Sequence, residues 1–175
     1  MSRLRALIRD VPDFPEAGVL FRDITPLLGD AWGLRAAVDA LAAPFAESGV
    51  DLVAGIEARG FLLGPAVATR LGVGFVPMRK EGRLPRETVR EEYQLEYGRA
   101  VIEVHEDALR AGDGVLVLDD VLATGGTARA ACRLVEALGG RIAGLSFLVE
   151  LQPLGGRKGL EAYRIESAVQ FGEEG

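Results

Sequence analysis

Residues 115–131 read VLVLDDVLATGGTARAA. Four apolar residues lead into two adjacent aspartates, a Thr-Gly-Gly-Thr turn, and small residues that continue as a helix. A run of consecutive apolar residues predicts a strand buried on both faces, because a half-exposed strand would alternate. Gly125 and Gly126 let the backbone turn tightly and come close to a ligand. The helix predicted to begin near Thr127 presents unpaired N–H groups and the positive end of its dipole at that turn, a setting that favours an anion. Thr124 and Thr127 add hydroxyl donors, so residues 123–127, from Ala123 to Thr127, read as a cradle for a phosphate monoester. It is not a nucleotide P-loop: the Gly-x-x-x-x-Gly-Lys-Ser/Thr pattern is missing and no lysine is near.

Asp119 and Asp120 would repel a bare polyphosphate beside this cradle. They suit ribose hydroxyls, which donate to carboxylates, or a Mg²⁺ ion held through water. Neighbours in a strand face opposite sides, so the two acids need not share a role. The competing reading makes Asp119 a solvated strand end, Asp120 a turn acid and the glycines punctuation. The strand, the double acid and the Thr-Gly-Gly-Thr turn in register outweigh it. A phosphate on one side and a diol on the other describe a ribose 5-phosphate.

The rest of the chain alternates strands and helices. AWGLRAAVDALAAPF has Leu34, Ala37, Val38 and Leu41 at helical spacing, with Asp30 as N-cap. DLVAGI (residues 51–56) predicts a short buried strand, residues 61–71 a helix, and VGFVP (73–77) a further strand. The polar stretch that follows predicts a long excursion and an antiparallel hairpin: Tyr93, Leu95 and Tyr97 share one face, Ala100, Ile102 and Val104 another, with Gly98 between. TARAACRLVEALGG predicts a helix closed by Gly139 and Gly140, and RIAGLSFLVEL a further strand. The fold class is α/β, a mainly parallel twisted sheet flanked by helices. Ligands bind such sheets at the carboxyl ends of strands, where EARG, MRKEGR and DDVLATGGT lie.

Composition narrows the function. The chain has 175 residues, room for one domain with a sizeable core. Its net charge of −6 and isoelectric point near 4.9 argue against a nucleic-acid partner. No apolar run approaches the ~18 residues of a membrane span, and GFLLGPAVATRLG is interrupted by Gly64, Pro65 and Arg70. A single cysteine fits a reducing, cytoplasmic setting. One histidine and one cysteine cannot build a zinc site. His105 shares a hairpin face with Glu103 and reads as a surface residue, Cys132 as core, and Trp32 as an anchor to the core.

The run at 115–131 resembles the phosphoribosyl-pyrophosphate motif of the type I phosphoribosyltransferase family. GIEARGFLLG, RKEGRLP and EEYQLEYG, with LFRDITPLL near the start and LVEL near the end, resemble the adenine phosphoribosyltransferase branch in order and spacing, over roughly residues 10–155. The resemblance implies one phosphoribosyltransferase domain over residues 1–175, with an N-terminal hood (1–30) and a flexible β-hairpin flap (83–104). It implies transfer of the phosphoribosyl group of 5-phosphoribosyl 1-pyrophosphate to adenine, giving AMP and pyrophosphate in purine salvage, with Mg²⁺, in a homodimer. By the same resemblance, Glu57, Ala58, Arg59 and Gly60, with Arg79 and Lys80, bind pyrophosphate, Arg59 aiding departure of that group. Leu20, Phe21 and Arg22 meet the base, and Glu96 is the general base. Glu81 stands where relatives often carry another basic residue. Transfer to xanthine, hypoxanthine or guanine, and a non-catalytic regulator of the same fold, are the alternatives.

Overall fold

Residues 115–118, the apolar run before the aspartates, lie near the middle of a seven-stranded sheet, and all are buried. The computed structural model describes residues 2–94 and 99–172. In chain order its elements are helix α1 (Ser2–Ala6), strands β1 (Arg9–Pro12) and β2 (Leu20–Asp23), and helices α2 (Thr25–Gly29) and α3 (Ala31–Ala42). Then come β3 (Leu52–Ile56), α4 (Gly60–Leu71), β4 (Gly74–Lys80), β5 (Thr88–Gln94) and β6 (Arg99–His105). The chain continues through β7 (Gly114–Leu122), α5 (Gly126–Ala137), β8 (Arg141–Leu151) and β9 (Ile165–Phe171). The large sheet runs β5-β6-β4-β3-β7-β8-β9, and β1 pairs with β2 in a separate ribbon. Strands β4, β3, β7, β8 and β9 are parallel, while the β5–β6 hairpin joins β4 antiparallel.

Alternation along β7 sends its side chains into two different cores. Leu116 and Leu118 pack with Val53, Leu41, Leu63 and Val67 on the α3/α4 face. Val115 and Val117 pack with Ala131, Leu134 and Val135 of α5 on the other. Each such side chain contributes about 1.5–3 kcal/mol by leaving water, which holds β7 in register and so fixes the aspartates that follow. Helix α3 starts where expected, the Asp30 carboxylate accepting the Gly33 N–H at 2.7 Å. Helix α4 ends on Gly72 in the left-handed region, φ 74°.

Several expectations need correction. The aspartates lie inside β7, which runs on to Leu122, and β4 runs on to Lys80 because Arg79 and Lys80 pair with Glu103 and Ile102 of β6. Strand β9, parallel to β8, was not anticipated. Glu103 is 2% exposed, since β6 has a neighbour on each side; its carboxylate accepts the N–H groups of Arg83 and Leu84 and the Thr88 hydroxyl. His105 is half-buried, its Nε2 buried and without a hydrogen-bond partner among the described residues. Trp32 is 39% exposed and carries the Arg3 guanidinium 3.9 Å above its ring, so it ties α1 to α3 at the surface.

Candidate active site

Strands β3 and β7 are parallel neighbours, so the loops after them open at the same end of the sheet. That adjacency brings residues 57–60 beside residues 119–127. Asp120 follows the Leu116/Leu118 side of β7 toward α4, where Arg59 precedes the helix. Its carboxylate is nearly buried, side chain 4% exposed, and Arg59 Nε lies 2.5 Å from its Oδ2. The contact opposes charge to charge without hydrogen-bond direction, and Oδ2 has no hydrogen-bond partner among the described residues. Asp119 faces the α5 side, its Oδ1 accepting the Asp120 N–H at 2.8 Å. Burial, and then the Asp120 charge beside it, push the Asp119 carboxyl well above the usual carboxylate range. Two acids so placed favour a ligand that brings donors or positive charge.

Between β7 and α5, the loop closes on Gly125 in the left-handed region, φ 77°, which as the N-cap residue has no side chain to cap α5. The leading N–H groups of that helix therefore have no capping acceptor, as an anion site requires. A cleft of about 300 Å³ opens here, lined by residues 121–128 together with Asp119 and Phe147.

A second cleft, about 510 Å³, shares Asp119 with the first and adds Asp120, Glu57, Ala58, Arg59 and Lys80. Gly60 is required where α4 meets β7: a Cβ there would lie 2.9 Å from Leu118 O and 3.3 Å from Asp119 Oδ1. Lys80 lines this cleft, but Arg79 does not. Its Nε donates to Glu57 Oε2 at 3.2 Å and its Nη1 to Arg83 O at 3.0 Å. Glu57 also accepts the Lys80 N–H at 3.0 Å. Partial burial pushes the Glu57 carboxyl up, but the Lys80 N–H and the cations of Arg79 and Arg83 outweigh it and hold the group below its ordinary value. The side chain of Glu57 thus braces the basic strand end against the loop after β3.

The β1–β2 ribbon reaches the same place. Arg59 Cζ stands 5.1 Å from the Phe21 ring centre, and Phe14 meets Phe21 edge-on at 5.1 Å. Leu20 is exposed beside them. The Arg22 side chain turns away, pairing with Asp10 and lying 4.0 Å over the Phe171 ring, so it tethers the ribbon to β9. Glu96 lies outside the described residues.

Sequence reading missed two buried glutamates: Glu103, which accepts the Arg83 and Leu84 N–H groups, and Glu150, which pairs with Arg157. One signal was available: a glutamate inside an apolar run, as in LVEL, is buried only with a partner.

A model of the phosphoribosyl transferase domain matches residues 33–167. An adenine phosphoribosyltransferase of Nitrosococcus oceani is 55% identical over 171 residues, 98% of this chain and 100% of that protein. The crystal structure of adenine phosphoribosyltransferase from Rhodothermus marinus superposes with TM-score 0.93 at 52% identity, covering 97% of each chain. That of Saccharomyces cerevisiae, complexed with adenine and an imino-altritol bisphosphate, gives TM-score 0.90 at 38% identity over 95% of this chain and 97% of that one.

Proposed function

The chain belongs to the adenine phosphoribosyltransferases, and on that premise we propose how its two clefts divide the work. It transfers the phosphoribosyl group of 5-phosphoribosyl 1-pyrophosphate to adenine, forming AMP and releasing pyrophosphate, a step of purine salvage. Ala123, Thr124, Gly125, Gly126 and Thr127 hold the 5-phosphate at the head of α5. Asp119 and Asp120 accept from the ribose hydroxyls. Arg59 and Lys80, with the backbone of Glu57, Ala58 and Gly60, receive the pyrophosphate; Arg79 acts there through its brace on Glu57. Phe21 stacks on the base while backbone groups around Leu20 and Arg22 read its edge. The observation that carries this division is that both clefts meet at Asp119.

A base nitrogen forms a bond to the anomeric carbon as the bond to pyrophosphate breaks and its electron pair leaves with that group. Positive charge develops on the sugar, and donors aimed at the departing oxygens stabilise the transition state. The proton of the base leaves to Glu96, in the hairpin that closes over the sugar and keeps water away. Among the described residues no cluster of three His, Cys, Asp or Glu side chains can hold a metal. The Asp119 and Asp120 carboxylates, which both line the second cleft, would hold through water a Mg²⁺ brought in with the substrate. Bound there, the ion would supply neutralisation of the pyrophosphate charge.

The reading treats residues 1–175 as one domain, with the hood at 1–30 and the flap at 83–104, and the molecule as a cytoplasmic homodimer acting on small molecules. No helix among the described residues is long and apolar enough to cross a membrane, and the acidic balance supports the absence of a nucleic-acid partner. Nucleotide formation should be measured with adenine, hypoxanthine, guanine and xanthine. Product from adenine alone is expected. Comparable turnover of another purine, or substrate binding with no product from any base, contradicts the reading.

A further inference from the structure

The phosphate loop is buttressed from outside by the turn that follows β8. After a 3-10 turn at Gln152–Leu154, Gly155 and Gly156 bring the backbone against the loop. A Cβ on Gly156 would lie 2.4 Å from Ala123 O, and one on Gly125 would lie 2.1 Å from Gly156 O. Arg129, in the first turn of α5, spans the seam: its Nη1 donates to Thr124 O at 3.2 Å and to Lys158 O at 2.7 Å. The turn itself is pinned at Arg157, whose Nε and Nη2 grip the two oxygens of Glu150 at 2.7 and 2.8 Å. Glu150, at the end of β8, is 4% exposed and also accepts from Gln170 Nε2 of β9 at 3.3 Å. None of Gly156, Arg157 or Glu150 lines either cleft.

We propose that Glu150 and Arg157 are positioning residues for the phosphate loop: their bidentate pair fixes the turn whose Gly156 backbone and Lys158 carbonyl set the shape of residues 123–127 around a phosphate monoester. The proposal rests on the reading of that loop as the 5-phosphate site. A loop rich in glycine has little shape of its own, and amide donors bind an anion well only when their aim is fixed from behind. The planar fork of arginine matches a carboxylate with two parallel bonds, which a lysine cannot copy.

The test is calorimetric titration of the full chain with ribose 5-phosphate and, separately, with pyrophosphate, for wild type, Arg157→Lys, Gly156→Ala and Thr127→Ala, with a melting temperature for each. Arg157→Lys and Gly156→Ala should each weaken ribose 5-phosphate about tenfold and change pyrophosphate by less than about twofold. A lower melting temperature with unchanged ribose 5-phosphate affinity, or equal weakening of both ligands, overturns the proposal. If Arg157→Lys does not fold, Glu150→Gln, titrated in the same way, decides by the same criteria. Thr127→Ala separates the two levels. Weakening there, with none in the other variants, removes the buttress alone; no weakening there removes the phosphate site and the buttress with it.

Discussion

Asp119 and Asp120 are consecutive residues of one strand, yet alternation gives them different neighbours, Arg59 for one and the phosphate-loop cleft for the other. Burial and the adjacent charge raise the folded-state pKa of Asp119. Such a group costs nothing below its unfolded value of about 3.9 and destabilises the fold increasingly as pH rises through the folded value. Asp119→Asn should therefore raise the melting temperature at neutral pH. The gain should vanish below about pH 4, and AMP formation should collapse at every pH. Scanning calorimetry across that range checks the sign; a variant no more stable than wild type at neutral pH contradicts the burial argument. Arg59 stands between Asp120 and Phe21. Arg59→Ala should weaken the pyrophosphate-bearing substrate far more than AMP in equilibrium binding, and equal losses would remove Arg59 from the pyrophosphate site.

At the scale of elements, the β5–β6 hairpin is where the proposal puts the general base. Its base is firmly built, with Gln94 paired to Arg99, Glu103 buried beneath residues 83–84, and Arg133 of α5 bonded to Glu91. Glu96→Gln should lower kcat by about 10²–10⁴-fold, the usual worth of a general base, with a smaller change in KM for adenine. Unchanged kcat in steady-state assays removes Glu96 from the chemistry. Legibility followed burial. Strands β3, β7 and β8 are covered on both faces and read as apolar runs, and α3, α4 and α5 read from their period and their caps. Strand β9 escaped because Ser167 interrupts the row Ile165, Val169, Phe171, while Ala168 on the opposite face is buried as well. The charged end of β4 read as a loop, although backbone pairing with β6 holds it extended. Glu103 read as one polar face of a ribbon because nothing local says that β4 lies alongside.

The whole molecule brings together parts far apart in the chain: the ribbon at 20–22, the loop at 57–60 and the strand and loop at 119–127. The phosphate turn and the double acid are legible from local chemistry, whereas residues 20–22 and 57–60 take their expected roles from the resemblance. Their meeting was not legible, because it depends on β3 and β7 being neighbours and on Arg59 reaching both Asp120 and Phe21. The turn that buttresses the phosphate loop was hidden for the same reason, its parts lying at residues 125, 129, 150 and 157. The central claim is that the head of α5 grips the sugar's 5-phosphate while Asp119 and Asp120 hold its diol. A crystal structure of the complex with AMP tests it directly. The phosphate oxygens should sit about 2.7–3.2 Å from backbone nitrogens of residues 124–127, with the ribose hydroxyls against the two aspartates. A phosphate lodged instead between Arg59 and Lys80, with the head of α5 left to solvent, would contradict it.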